Sequence, residues 1–260
     1  MNCVKMKLVK GMAVGFFAGW LLAGCSSGYS LVGVEGGRIA ITDKYDRNTD
    51  PEALSILKPY QQKVDSIMKP VIGHSARALS AYRPESPLSN WIADVLRQSA
   101  VRAIGKPADV AVMNMGGIRN AMPEGEITYG TIYEIAPFEN ALCILTMDGA
   151  TLKELFAEIA SVHGEGLSGA ALQIDEEGNL LDAKVNGRPV EEKKVYTVAT
   201  IDYLAEGNDR MMAFRKAQSK TFPKDALLRG LLLDAVKQCE QKGQFVSAQV
   251  EGRIKVSASN

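Results

Sequence analysis

The chain is short of the residues that hold catalytic metals: its 260 residues include two histidines, His74 and His163. Neither sits in HxH, DxH or HExxH spacing. A dinuclear phosphoesterase centre needs several imidazoles and carboxylates converging on two ions, and two isolated histidines cannot assemble one. Either His is more simply read as a surface or core residue. There is no GxxxxGK[ST], and no GxGxxG directly after a strand, so the usual P-loop and dinucleotide signatures are missing. Net charge is absent too. Thirty basic and thirty acidic residues cancel, which excludes the basic footprint that duplex nucleic acid requires. An anionic ligand must therefore be held by a few placed cations.

Cysteine is sparse. Of four, Cys3 and Cys25 lie near the N-terminus, and Cys143 and Cys239 stand far apart with no CxxC. A disulfide between these two is permitted in an oxidising compartment, and two free thiols are the alternative. No apolar run is long enough for a confident membrane span. Met12 to Leu22 is a short apolar stretch behind Lys5, Lys7 and Lys10, and Leu22-Ala23-Gly24-Cys25 follows. That pattern reads as a secretory signal over residues 1–24. Leu-Ala-Gly-Cys resembles the lipobox of bacterial lipoproteins, which would make Cys25 the lipid-bearing first residue of the mature chain. An ordinary signal that happens to contain Cys is the bland alternative. The resulting expectation is an extracytoplasmic protein anchored to a bacterial membrane.

Composition is that of a globular protein, 46% hydrophobic and 23% charged. Residues 25–50 read as a tether with one strand, Arg38 to Thr42. A domain over 51–260 follows. Asp50-Pro51-Glu52 opens a helix as cap, first residue and dipole-matched acid, and Pro59 should kink it. Ser86-Pro87 opens a second helix with apolar positions Leu88, Trp91, Ile92, Val95 and Leu96, stopped by Gly105-Lys106-Pro107. Asp109 to Asn114 and Ala141 to Met147 read as strands. Asp148-Gly149 starts a helix carrying Leu152, Leu155, Phe156 and Ile159. Hairpins are expected across Glu177-Gly178 and Asn186-Gly187. Val195 to Thr200 is a strand, Asp225 to Gln241 a long amphipathic helix, and Gln249 to Val256 a final strand. Interleaved helices and strands with hairpins predict an α+β fold, a mixed β-sheet packed with helices.

Three loops carry groups suited to a nucleotide. In Asn114-Met115-Gly116-Gly117-Ile118-Arg119, Gly116 and Gly117 permit a tight turn and close ligand approach. Asn114 offers both donor and acceptor to a base edge, and Arg119 a planar fork for phosphate. A plain turn with a solvated Arg is the competing interpretation. In Pro137-Phe138-Glu139-Asn140, Phe138 is a core plug or a stacking platform. In Asp202 to Arg210, Tyr203 could supply a second ring, and Asp209 could bind ribose hydroxyls or merely cap a helix.

Taken in order, these loops resemble the C-terminal domain of the 5′-nucleotidase family, which includes periplasmic UDP-sugar hydrolases and 2′,3′-cyclic phosphodiesterases. The matching stretches are Glu85 to Asp94, Asn114 to Arg119, Gly125 to Thr128, Pro137 to Asn140, Met147 to Gly149 and Tyr196 to Asp209. They cover about Lys69 to Val256. The resemblance implies that Asn114 contacts the base, Arg119 contacts phosphate, Phe138 and Tyr203 sandwich the base, and Asp209 binds ribose, with Gly116, Gly117 and Asn140 in the matching loops. It implies a phosphate contact for an Arg before the second helix. Arg83 is the nearest, displaced by one position, with Tyr82 in the matching place. The family's GGDG stands here as Gly207-Asn208-Asp209-Arg210. Family enzymes carry a metal-bearing metallophosphoesterase domain ahead of this one, and the resemblance does not extend to it. The implied role is the nucleotide-recognition subunit of a split 5′-nucleotidase, with divalent metals on a separately encoded metallophosphoesterase and none in this chain. A surface-tethered nucleotide-binding lipoprotein without catalytic role is the alternative, and a structural lipoprotein is a third reading.

Overall fold

A computed structural model describes residues 31–43, 46 and 49–257. The signal stretch and Cys25 lie outside the described residues. The chain divides after Ala53 into two units. In the first, Arg38 to Thr42 does not form the expected strand. Ile39 and Ile41 are exposed, and no strand among the described residues pairs with them. An extended segment without a hydrogen-bonded neighbour is not a strand. No helix among the described residues is long and apolar enough to cross a membrane.

Helix α1 (Pro51–Met68) starts as expected. The Asp50 carboxylate accepts from the amides of Glu52 at 2.8 Å and Ala53 at 3.3 Å, satisfying two of the orphan donors of the first turn. Pro59 lies within one continuous helix that buries none of its residues.

The core is built on a five-stranded sheet in the order β10-β4-β9-β2-β5, with β2 (Val110–Met113), β4 (Leu142–Asp148), β5 (Gly166–Ser168), β9 (Val195–Ile201) and β10 (Ser219–Thr221). Strands β2 and β9 are parallel. The pairs β4·β9, β2·β5 and β10·β4 are antiparallel, so the sheet is mixed as predicted. All four residues of β2 are buried, which is the continuous apolar reading of a strand covered on both faces. Helix α2 (Pro87–Ser99) buries Leu88, Trp91, Ile92 and Leu96, and helix α5 (Gly149–Ser161) buries Leu152, Leu155, Phe156 and Ile159. Asp148 caps α5 by accepting from the Thr151 amide at 2.9 Å. One helical turn, α6 (Asp202–Ala205), follows β9 directly.

A second sheet has the order β11-β6-β7-β8, from β6 (Ala170–Asp175), β7 (Leu180–Val185), β8 (Arg188–Pro189) and β11 (Ile254–Ser257). Asn186 and Gly187 adopt φ of 50° and 76°, the left-handed pair that a two-residue hairpin demands. Strands β1 (Val71–Ser75) and β3 (Gly125–Thr128) pair separately, and helix α4 (Tyr129–Ile135) follows β3. The short helix α3 (Val101–Ile104) interrupts the expected run to Gly105, which ends it in the left-handed region.

Two boundaries differ from expectation for one reason: tertiary hydrogen bonds compete with the regular element. Helix α7 (Leu228–Gln241) begins three residues later than Asp225. Ala226 instead offers its carbonyl to the Leu142 amide at 2.8 Å, and the Leu228 amide donates to the Asn140 carbonyl at 2.8 Å. The C-terminal strand covers only Ile254–Ser257, because the preceding segment is held by buried Glu85. That carboxylate accepts from the Glu251 amide at 2.7 Å, the Ile254 amide at 3.3 Å and the Asn90 amide nitrogen at 2.6 Å. Asn90 also donates to the Gln249 carbonyl at 3.0 Å. Replacing Glu85 by Ala strands several buried donors, each costing roughly 1–3 kcal/mol. Glu85→Ala is therefore expected to lower unfolding free energy by about 3 kcal/mol, measured by urea denaturation.

Candidate functional site

The order of the sheet brings four loops to one end. Strands β2 and β9 run parallel as neighbours, so the segments leaving them, beginning at Asn114 and at Asp202, emerge side by side. Strand β4 runs opposite to β9, with Leu142 paired to Ile201, so the segment entering β4 arrives at the same end. Strand β5 runs opposite to β2, with Gly166 paired to Met113, so the residue entering β5, Glu165, arrives there too. The carboxyl ends of parallel strands are where open α/β sheets gather ligands.

At that end Asn114, Gly116, Gly117, Phe138, Asn140, Tyr203 and Asp209 line one cavity of about 280 Å³. This lies just under the roughly 300–1,000 Å³ of pockets that take drug-sized ligands. Phe138 and Tyr203 are 49% and 42% exposed, a degree of exposure that is wasteful for rings unless something covers them. Phe138 is thus no core plug. A larger cleft of about 410 Å³ lies between α2 and α7, lined among others by Trp91, Asp94, Arg102 and Asp234. It has one nearly buried ring and an Arg102–Asp234 ion pair at 3.1 Å, a surface groove rather than a converging set of groups.

Asp209 is the centre of the cavity's hydrogen bonding. Its Oδ2 accepts from Asn114 Nδ2 at 2.6 Å and its Oδ1 from the Tyr203 hydroxyl at 2.8 Å. Asn208 Nδ2 donates to the Tyr203 carbonyl at 2.8 Å and closes the loop on itself. Each carboxylate oxygen keeps a second lone pair for an incoming hydroxyl. The loop is tight. Gly207, Asp209 and Arg210 all take positive φ, of 82°, 53° and 67°. Asp tolerates this region, and Arg has no side-chain interaction that favours it. On the opposite loop, a Cβ at Gly117 would stand 2.7 Å from Asn114 Oδ1 and 2.6 Å from Met113 Cε. Glycine there is what lets the Asn114 side chain lie flat against the turn.

Two cations expected at the site are not among the cavity-lining residues. The Arg119 guanidinium lies 6.0 Å from the Phe138 ring centroid and donates to the Gly116 carbonyl at 3.1 Å, so it stands beside that ring. Arg83 donates through Nε to the Gly164 carbonyl at 2.8 Å and ion-pairs with Glu165. Glu165 is 2% exposed and also accepts the Met115 amide. Burial pushes the Glu165 carboxyl above its ordinary value, opposed by the Met115 amide and Arg83 and reinforced by Asp209. A raised folded value means that ionising Glu165 opposes folding as pH rises through that window.

Sequence reading missed Glu165 and Arg229. Glu165 sits among glycines, in a stretch without periodicity. The side chain of Arg229 is largely buried. It donates to the Pro137 carbonyl at 3.1 Å and lies 4.4 Å from the Tyr133 ring, holding the loop that presents Phe138. Its position beside the start of α7 was a weak signal that it faces the sheet end. Cys143 and Cys239 are both free, and burial pushes the Cys143 thiol up to about 11.

Among the described residues no group of three or more His, Cys, Asp or Glu could hold a metal ion. The cavity has one carboxylate, already spanned by two side-chain donors, so its residues do not fit the family's dinuclear centre.

Two outcomes follow from this geometry. Hydrogen bonding to Asp209 raises the Tyr203 phenol, so that bond stabilises the fold below the ordinary phenol value and is lost as pH rises through the raised one. Asp209→Asn should bring the Tyr203 titration down, seen by ultraviolet pH titration. Arg210→Gly relieves a positive φ and should raise stability by about 0.5–1 kcal/mol in urea denaturation.

The family described as 5′-nucleotidase, C-terminal domain, matches residues 71–216, more than half of the chain. Endonuclease YhcR of Bacillus subtilis (strain 168) is 33% identical over 175 residues, which is 64% of this chain and 14% of that protein. Silent protein UshA(0) of Salmonella typhimurium is 30% identical over 179 residues, 66% of this chain and 32% of that protein. The solved 5′-nucleotidase precursor from Thermus thermophilus superposes with a TM-score of 0.69 at 26% identity, over 79% of this chain and 43% of that one. The chain spans less than half the length of each.

Proposed function

The chain belongs to the family of 5′-nucleotidase C-terminal domains, and from that premise we propose that it is the nucleotide- or nucleoside-recognition subunit of a split 5′-nucleotidase. The carrying observation is that Phe138, Tyr203, Asn114 and Asp209, from three separate loops, line one cavity. A base enters between the two rings, each stacked face contributing roughly 1–3 kcal/mol. Asn114 lies against the base edge. The free lone pairs of Asp209 accept the ribose hydroxyls. Arg119, beside Phe138, meets the phosphate outside the cavity.

The phosphoryl chemistry would fall to a separately encoded metallophosphoesterase, whose divalent metals would supply Lewis-acid chemistry. This chain contributes position: it holds the nucleoside so that the phosphate reaches the partner's centre, converting a diffusional encounter into an oriented one. The Leu-Ala-Gly-Cys pattern supports lipid on Cys25 and a place outside the cytoplasm, so that substrate and partner meet at a bacterial membrane surface. The same cavity would also serve one competing role, capture of nucleotides without any catalytic partner.

Calorimetric titration of the mature chain with adenosine and AMP tests the reading. Phe138→Ala should weaken binding by about ten-fold, the loss of one stacking face; unchanged affinity removes Phe138 from the site. The purified chain alone should show no metal-dependent nucleotidase activity, and turnover should appear only with a metallophosphoesterase added. Robust turnover by the chain alone contradicts the split arrangement. Binding with no turnover in any pairing leaves capture as the function.

A further inference from the structure

Glu165 is a buried charge that nothing in the proposed chemistry uses. It enters β5 at the point where Gly166 pairs with Met113, which sets its carboxylate behind the turn at Asn114. One oxygen accepts the amide of Met115, the residue next to Asn114, and the other accepts from Arg83. Arg83 reaches back to the Gly164 carbonyl at 2.8 Å, so its guanidinium grips the strand entry at two points. Gly164 is drawn in so closely that a Cβ there would stand 2.2 Å from the Pro84 carbonyl oxygen. The segments around Pro84, Gly164 and Met115 are thus locked together beneath the cavity. Charged groups facing Glu165 are Arg83, from the segment before α2, and Asp209, from the loop after β9. A carboxylate held at 2% exposure against partial desolvation is costly. Apolar packing would seal this spot at lower cost, yet it could not fix the Met115 amide.

We infer that Glu165 is a positioning residue for the Asn114–Gly117 turn, and that Arg83 acts through Glu165 rather than by touching a phosphate. The inference rests on the proposed nucleoside site for its ligand readout and on geometry alone for the rest.

Two measurements on the mature chain and on Glu165→Gln and Arg83→Gln test it. In hydrogen exchange, either substitution should speed exchange of the Met115 amide and its turn while strands β4 and β9 stay protected. Unchanged exchange at Met115 overturns the inference, whether or not any ligand binds. In calorimetry, a positioning role predicts that each substitution weakens adenosine and AMP by the same factor, about ten-fold for a lost charge-assisted hydrogen bond. The double variant should be little worse than either single one, because both changes break one unit. A much larger loss for AMP than for adenosine in Arg83→Gln shows direct phosphate contact and overturns the role given to Arg83. If the parent chain binds neither ligand, the nucleoside reading fails, and the exchange result still decides whether Glu165 sets the turn.

Discussion

The site depends on a single carboxylate shared by two loops. Asp209 accepts from the Asn114 amide and the Tyr203 hydroxyl, tying the segment after β2 to the segment after β9. The tie is possible because those two strands are parallel neighbours, so their carboxyl ends open at the same edge. Without it, the Tyr203 hydroxyl would lose its anchor to the loop after α6, and Asn114 would face the cavity with no fixed orientation. A hydrogen bond to a charged acceptor contributes about 1.5–3 kcal/mol, enough to oppose the cost of positive φ at Asp209 and Arg210. Pre-orientation of this kind lowers the ordering cost that a ligand would otherwise bear.

Much of the fold was legible in the residues. Helices α2 and α5 bury the apolar faces their spacing announced, and Asn186-Gly187 makes its hairpin because few other pairs accept φ > 0 twice. Legibility failed where tertiary hydrogen bonds overrode propensity. The segment Asp225 to Leu227 has helical composition, but its backbone is committed to residues 140–142. Residues 249–253 fall within the expected final strand, but Glu85 and its partner Asn90 hold their backbone. Arg38 to Thr42 alternates like a strand, and alternation cannot supply a partner. Of the site, the cavity gathers seven residues that the loops had nominated. Arg83 and Arg119 stand outside its lining, since a guanidinium is drawn to whatever carboxylate or carbonyl the fold puts in reach, and sequence does not report that.

Two buried glutamates carry the irregular parts of the molecule. Glu85 holds the C-terminal approach to β11, and Glu165 holds the Asn114 turn. Each accepts backbone amides that no helix or sheet serves, which is how a non-repetitive segment satisfies its donors inside a protein. Neither residue belongs to an apolar stripe, so both are invisible to periodicity. Arg229 plays the matching part from the other side, binding the carbonyls before Phe138. The cavity is thus presented by loops, while its geometry is set by charged side chains placed behind them.

The central claim is that the end of the sheet carrying Asn114, Phe138, Tyr203 and Asp209 is where a nucleoside sits. The most direct measurement is a backbone NMR titration of the mature chain with adenosine. The account predicts that the signals that move belong to residues 114–117, 138–140 and 203–209. Movement confined to the α2–α7 groove around Trp91 and Asp234, or no movement at saturating ligand, would contradict it.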